Sequence, residues 1–135
     1  FSPDSPMSRA MVWTVLARAA GQTITGENWA EAARTWAMAA GVSDGTNPDG
    51  TISREEIVTM LYRFVGEPDV TASDLGLMAK YADGEDVSAW AQNAMAWALS
   101  TGVINGRGDK LAAGEALTRA EAATMLGRCY LRMGK

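Results

Sequence analysis

Apolar positions recur along this chain at helical spacing. After Arg54 they fall at Ile57, Met60, Leu61 and Phe64, one stripe of a helix. Val12, Val15, Leu16 and Ala19 hold the same places after Arg9, and Ala122, Met125, Leu126 and Cys129 hold them after Arg119. Ser8, Ser53 and Thr118 stand where an N-cap belongs, and Glu56 and Glu121 complete capping boxes three residues on. Met11 takes that place in the first helix, so its cap should be weaker. Gly21 and Gly66 are the expected C-terminal stops. Two alanine-rich stretches with tryptophans, 28–40 and 87–101, predict shorter helices that close at Gly41 and Gly102. Residues 22–27 read as a linker. Residues 67–86 read as a longer connection containing Pro68, with one helical turn near Leu75–Lys80. No segment alternates as a strand would, and the class is all-α.

The helices are copies. Threonine follows each arginine by five residues (Thr14, Thr59, Thr124), leucine by seven (Leu16, Leu61, Leu126) and arginine by nine (Arg18, Arg63, Arg128). A second unit occurs twice: Trp29-Ala30 and Trp90-Ala91, then Trp36-Ala37 and Trp97-Ala98, then Gly41-Val42 and Gly102-Val103, then Gly45 and Gly106. Between the two units and their arginines the spacing differs by four residues, placed in a loop where insertion is cheap. The order is second half, full repeat, full repeat, with domains at 1–21, 28–66 and 81–132 and a connection at 67–80. The first half-unit would precede Phe1.

Composition narrows the function. The 135 residues make one domain, and 47% apolar residues suffice for a core. No apolar run approaches the roughly eighteen residues needed to cross a bilayer. No signal peptide or lipidation motif is present, and a chain opening on Phe1 rather than Met reads as processed or trimmed. A net charge of −4 argues against broad nucleic-acid binding. Lone Cys129 excludes an internal disulfide and a multi-cysteine zinc site, and the lack of histidine removes the commonest general base. No cofactor is implied.

Arginine in a helix's first turn opposes the dipole. Arg9, Arg54 and Arg119 all sit there. Free N–H groups, the dipole and a guanidinium together make an anion site. Pairing with acidic neighbours such as Asp4, Asp49 and Glu115 is the competing explanation. Arg18, Arg63 and Arg128 lie near helix C-termini, where a cation suits the dipole. Trp36 and Trp97 read as core; Trp29 and Trp90, at helix starts, are open between core anchor and sugar-stacking platform.

The joint pattern resembles the S-layer homology domain. Its third copy matches best, through Tyr81-Ala82-Asp83, Trp90-Ala91, Gly102-Val103-Ile104-Asn105-Gly106 and Thr118-Arg119-Ala120-Glu121. The second keeps Trp29-Ala30, Gly41-Val42 and Ser53-Arg54-Glu55-Glu56, and the first keeps Phe1-Ser2-Pro3-Asp4 and Ser8-Arg9-Ala10. The resemblance implies a pseudo-threefold helical bundle with grooves between repeats. It also implies non-covalent anchoring of an extracellular bacterial protein, through peptidoglycan-linked secondary cell wall polysaccharide, often pyruvylated. It assigns the groove to Arg9, Arg54 and Arg119, to Gly45 and Gly106, and to Trp29 and Trp90. The missing half-repeat leaves one groove without a wall unless an upstream segment or self-association supplies it.

Other readings compete. Residues 45–56 mimic a calcium loop but begin with Gly45 where a carboxylate belongs. Arg107-Gly108-Asp109 is an integrin-type tripeptide, and Asp83, Glu85 and Asp86 form a carboxylate cluster in a connection. The main rival is a purely structural or protein-interaction helical module without glycan binding.

Overall fold

Three helices start the same way and for the same reason. Ser8 and Ser53 hold extended backbone, and their hydroxyls accept from the Met11 and Glu56 amides. Thr118 accepts likewise from the Glu121 amide. At Ser53 and Thr118 the glutamate reaches back to the cap amide, closing the box; at Ser8 the methionine has nothing to return. The structure, a computed structural model, describes residues 5–132, with side chains to Tyr130. Phe1-Ser2-Pro3-Asp4, part of the sequence match, lies outside that range.

Among the described residues six α-helices result: α1 (Arg9–Ala19), α2 (Trp29–Ala39), α3 (Arg54–Phe64), α4 (Ala72–Gly76), α5 (Gln92–Thr101) and α6 (Arg119–Arg132). There is no strand among the described residues, and the fold is all-α. Gly21 and Gly66 adopt left-handed φ values of 92° and 93° just past α1 and α3. Two expected boundaries move. The helical turn in the long connection starts earlier, at Ala72, because Thr71 and Asp74 form a capping box of their own, and it continues as a 3₁₀ turn over Leu77–Lys80. The second tryptophan unit opens with a 3₁₀ turn, Ala89–Ala91, before α5.

The residues leading into α1, α3 and α6 close a ring. The Met7 amide donates to the Leu117 carbonyl, Leu117 to Ile52, and Ile52 back to Met7, at 3.0, 2.9 and 3.0 Å. Each lies two residues before its arginine. Isolated bridges repeat the pattern at Pro6 with Thr118, Ser8 with Thr51 and Ser53 with Ala116. Met7, Ile52 and Leu117 bury their side chains at this centre. Backbone hydrogen bonds thus impose a pseudo-threefold axis on unequal sequences.

Around the axis, α2 packs on α1 and α5 packs on α3. Trp13, Leu16, Ile57, Leu61 and Met95 are fully buried between them. Small residues permit the close approach: Ala33 and Ala37 on α2, Ala94 and Ala98 on α5, all buried.

Candidate functional site

The ring fixes where each helix-start arginine points: toward the segment that comes next around the axis. The Arg9 Nε donates to the Thr46 carbonyl at 3.0 Å, and its guanidinium pairs with Glu56. The Arg54 Nε donates to Leu111 O at 2.8 Å and a terminal nitrogen to Asn105 O at 2.7 Å, with Glu121 at 3.5 Å. Thr46 and Leu111 are equivalent, each eight residues before the following arginine. The acid partners are therefore the capping-box glutamates of the next helix, not Asp49 or Glu115; Asp4 lies outside the described residues.

Arg119 breaks the pattern. Its amide donates to Ser5 O, as the Arg9 and Arg54 amides donate to Gly50 O and Glu115 O. Its side-chain Nε, however, is buried without a hydrogen-bond partner. The residue that corresponds to Glu56 and Glu121 is Met11, which can offer no carboxylate.

Each arginine lines a cavity. Arg9 shares one of ≈ 360 Å³ with Asp44, Glu56, Thr59, Arg63 and Trp90. Arg54 shares one of ≈ 250 Å³ with Gly106, Arg107, Glu121, Thr124 and Arg128. Arg119 shares the largest, ≈ 800 Å³, with Met11, Thr14, Arg18, Trp29 and Tyr130. Trp29, 36% exposed, lines the Arg119 cavity, and Trp90, 56% exposed, lines the Arg9 cavity. Trp97 is buried against Tyr62, and Trp36 is half-buried against Phe64. Gly45 lies behind the wall: its φ is 78°, a Cβ there would come 2.6 Å from the Met38 sulfur, and its carbonyl accepts from Arg34. Gly106 does line its cavity, and a Cβ would overlap the Tyr81 ring.

Sequence reasoning missed Arg18, Arg63 and Arg128. One of them enters each cavity from the helix opposite the first-turn arginine. Their recurrence nine residues after each arginine was the available signal; the dipole gave them a sufficient local explanation and hid it.

Charge differs among the cavities. The first balances Arg9 and Arg63 against Asp44 and Glu56. The second sets Arg54, Arg107 and Arg128 against Glu121 alone, and the third has Arg18 and Arg119 with no carboxylate among its lining residues. Burial lowers the Arg54 pKa, and the neighbouring Arg107 charge lowers it further. Burial alone would raise the Glu56 and Glu121 carboxyls. Hydrogen bonds outweigh it, from the Ser53 amide and Arg9 in one case and Arg107 and the Thr118 amide in the other, and hold both below the ordinary value.

Asp83 organises the second cavity's rim. Its carboxylate accepts from the Leu111 and Ala112 amides at 2.7 and 2.9 Å, which sets the Leu111 carbonyl against Arg54. Those bonds hold the Asp83 carboxyl below its usual range. Both Glu56 oxygens are likewise engaged, by the Ser53 amide and Arg9, so the calcium-like loop has no free closing carboxylate.

Tyr81, Asp83, the glycine turn and the helix-start arginine thus form one connected unit. Residues 80–123 match the family model of the S-layer homology domain. The matched stretch runs from Lys80 through α5 and the loop to the first turn of α6. S-layer homology domains are non-catalytic modules that anchor proteins to cell wall polysaccharide, and the match places this chain at the bacterial cell surface. No curated protein matches the chain. No helix among the described residues is long and apolar enough to cross a membrane.

Proposed function

We propose that the cavities beside Arg9, Arg54 and Arg119 bind an anionic ligand, the pyruvylated secondary polysaccharide of the cell wall, taken up non-covalently between successive S-layer homology repeats at 1–21, 28–66 and 81–132. One observation carries the reading. In every cavity an arginine from the first turn of one helix faces a second arginine, nine residues into the matching frame, from the next helix. A ketal-linked pyruvate is a carboxylate on an apolar sugar edge, which suits a guanidinium pair beside an exposed tryptophan face. The Arg54 cavity sets three arginines against one carboxylate, and Ile104, Asn105, Gly106, Arg107 and Glu121 of its lining fall within the matched segment.

A second reading has an observation in its favour. Arg54 is only 4% exposed and its donors are spent on Asn105, Leu111 and Glu121, as a structural clamp requires. Replacing Arg54 therefore confounds binding with folding. Arg63→Gln with Arg128→Gln separates them, because Arg63 is exposed and Arg128 half-buried. The polysaccharide reading expects the double variant to keep its helical circular dichroism and lose co-sedimentation with purified sacculi. Retention equal to the unmodified chain, or equal retention on sacculi stripped of secondary polymer, would leave the structural module.

A further inference from the structure

Two of the cavities are built on one frame and can be compared position by position. The Arg9 cavity takes Glu56, Thr59 and Arg63 from α3, and the Arg54 cavity takes Glu121, Thr124 and Arg128 from α6, at identical offsets. They part in the glycine loop. Counted from Gly45 and Gly106, Asp44 stands where the second loop has Asn105, and Thr46 where it has Arg107. Trp90 adds an aromatic wall to the first cavity, and the described residues lining the second include no aromatic side chain.

Those exchanges set the charge. In the Arg9 cavity two arginines meet two carboxylates, and Glu56 pairs directly with Arg9. Asp44 is exposed, and one of its oxygens accepts from the Thr46 amide and hydroxyl at 3.0 and 2.7 Å. Those bonds hold its carboxyl below the ordinary range, so it stays ionised at neutral pH. In the Arg54 cavity Arg107 takes up Glu121 and reaches Glu115 at 3.2 Å. Glu115 is an exposed residue outside the lining, and even with it counted one cation is in surplus. Arg54 is buried and Arg107 is exposed, so Arg107 is the guanidinium that a ligand meets first.

A surplus of cation attracts a carboxylate. A balanced set of guanidinium and carboxylate groups instead offers donors and acceptors to uncharged hydroxyls, with no net pull on an anion. An exposed indole packs on the apolar face of a sugar whatever the sugar's charge. We propose that Asp44 and Arg107 are specificity-determining residues that divide the polymer between these cavities. The Arg54 cavity reads a carboxylate-bearing unit through Arg107. The Arg9 cavity holds an uncharged sugar unit, with Asp44 accepting from its hydroxyls and Trp90 against its apolar face. This inference rests on the polysaccharide reading and deepens it, naming the unit that each cavity takes.

The test titrates the full chain with methyl N-acetylmannosaminide, with and without a 4,6-linked pyruvate ketal. The backbone NMR signals of Gly45 and Gly106 read the two cavities separately. The ketal should tighten binding at the Arg54 cavity by about tenfold and change it at the Arg9 cavity by less than about twofold. Asp44 and Arg107 are both exposed, so their substitution should leave the fold intact. Asp44→Asn keeps an oxygen for the Thr46 amide and should open a ketal preference of about fivefold at the Arg9 cavity. Arg107→Thr, which copies the other loop, should cut the preference at the Arg54 cavity to about twofold. An equal ketal preference at the two cavities, or preferences that neither substitution moves, would overturn this division and leave the polysaccharide reading standing. Silence at both cavities toward both sugars would overturn that reading, and the division with it.

Discussion

Helices α3 and α6 open with closely related tetrapeptides, Ser53-Arg54-Glu55-Glu56 and Thr118-Arg119-Ala120-Glu121, and both close a capping box. Their arginines nevertheless meet opposite fates. Arg54 is clamped by two carbonyls and a carboxylate, while the Arg119 Nε is buried and alone. Nothing local to either helix separates them. The difference lies in the neighbour: α3 faces α5, its glycine loop and Glu121, whereas α6 faces an uncovered cavity and Met11. A signature residue here is completed by the following segment, so its environment is a property of pairs of segments.

The sharpest way to break this comparison is to place a charge at the same position on a covered and an uncovered helix. Ala17 on α1 is fully buried; Gly127 on α6 is exposed, and a Cβ there meets nothing. Ala17→Arg should cost about 3–5 kcal/mol by forcing an unpaired cation between α1 and α2. Gly127→Arg should cost nothing and gain a few tenths of a kcal/mol, on the order expected from replacing a helical glycine. Urea denaturation of the two variants reads both effects. Equal losses would mean that the α6 face is already covered in solution.

Arginine removal tests the same difference at smaller scale. Arg54→Ala leaves the Asn105 and Leu111 carbonyls without their donor and should cost about 2–3 kcal/mol. Arg119→Ala removes a group with a stranded nitrogen and should cost about 1 kcal/mol or less. Acid titration adds a second readout. Glu56 and Glu121 have folded pKa values below the ordinary 4.5. The stability they contribute is complete above the unfolded value and is lost as pH falls through the folded one. Glu121→Gln should therefore flatten the stability profile below about pH 5, where unfolded carboxyls begin to protonate, and leave less to lose on further acidification.

Much of this architecture was legible in the chain. Caps and apolar periodicity located the main helices because both are local signals, and the three arginine frames aligned without gaps because the central ring holds them in one register. The site was legible only in part. The arginines, Trp29, Trp90 and Gly106 reach cavities, but Gly45 serves the turn behind one. Along the chain the partners Glu56 and Glu121 read as caps alone, since a glutamate three residues after a serine or threonine is explained without any distant arginine. Arg18, Arg63 and Arg128 are hidden for the same reason. Each had a sufficient local role, and the second role required knowing which helix comes next around the axis.

The finest test rebuilds the missing partner. Met11 occupies the place of Glu56 and Glu121 and lines the cavity beside Arg119. Met11→Glu would let one side chain return to the Ser8 amide, completing the cap, and offer a carboxylate to Arg119, as Glu56 does to Arg9. The expected gain is about 0.5–1 kcal/mol, the cap and a half-exposed ion pair together. A double-mutant cycle with Arg119→Ala divides it: the cap's share survives loss of the arginine, and the ion pair's share disappears. Full additivity would mean that Arg119 does not reach the α1 first turn, and the threefold equivalence of the three arginines would fail at that position.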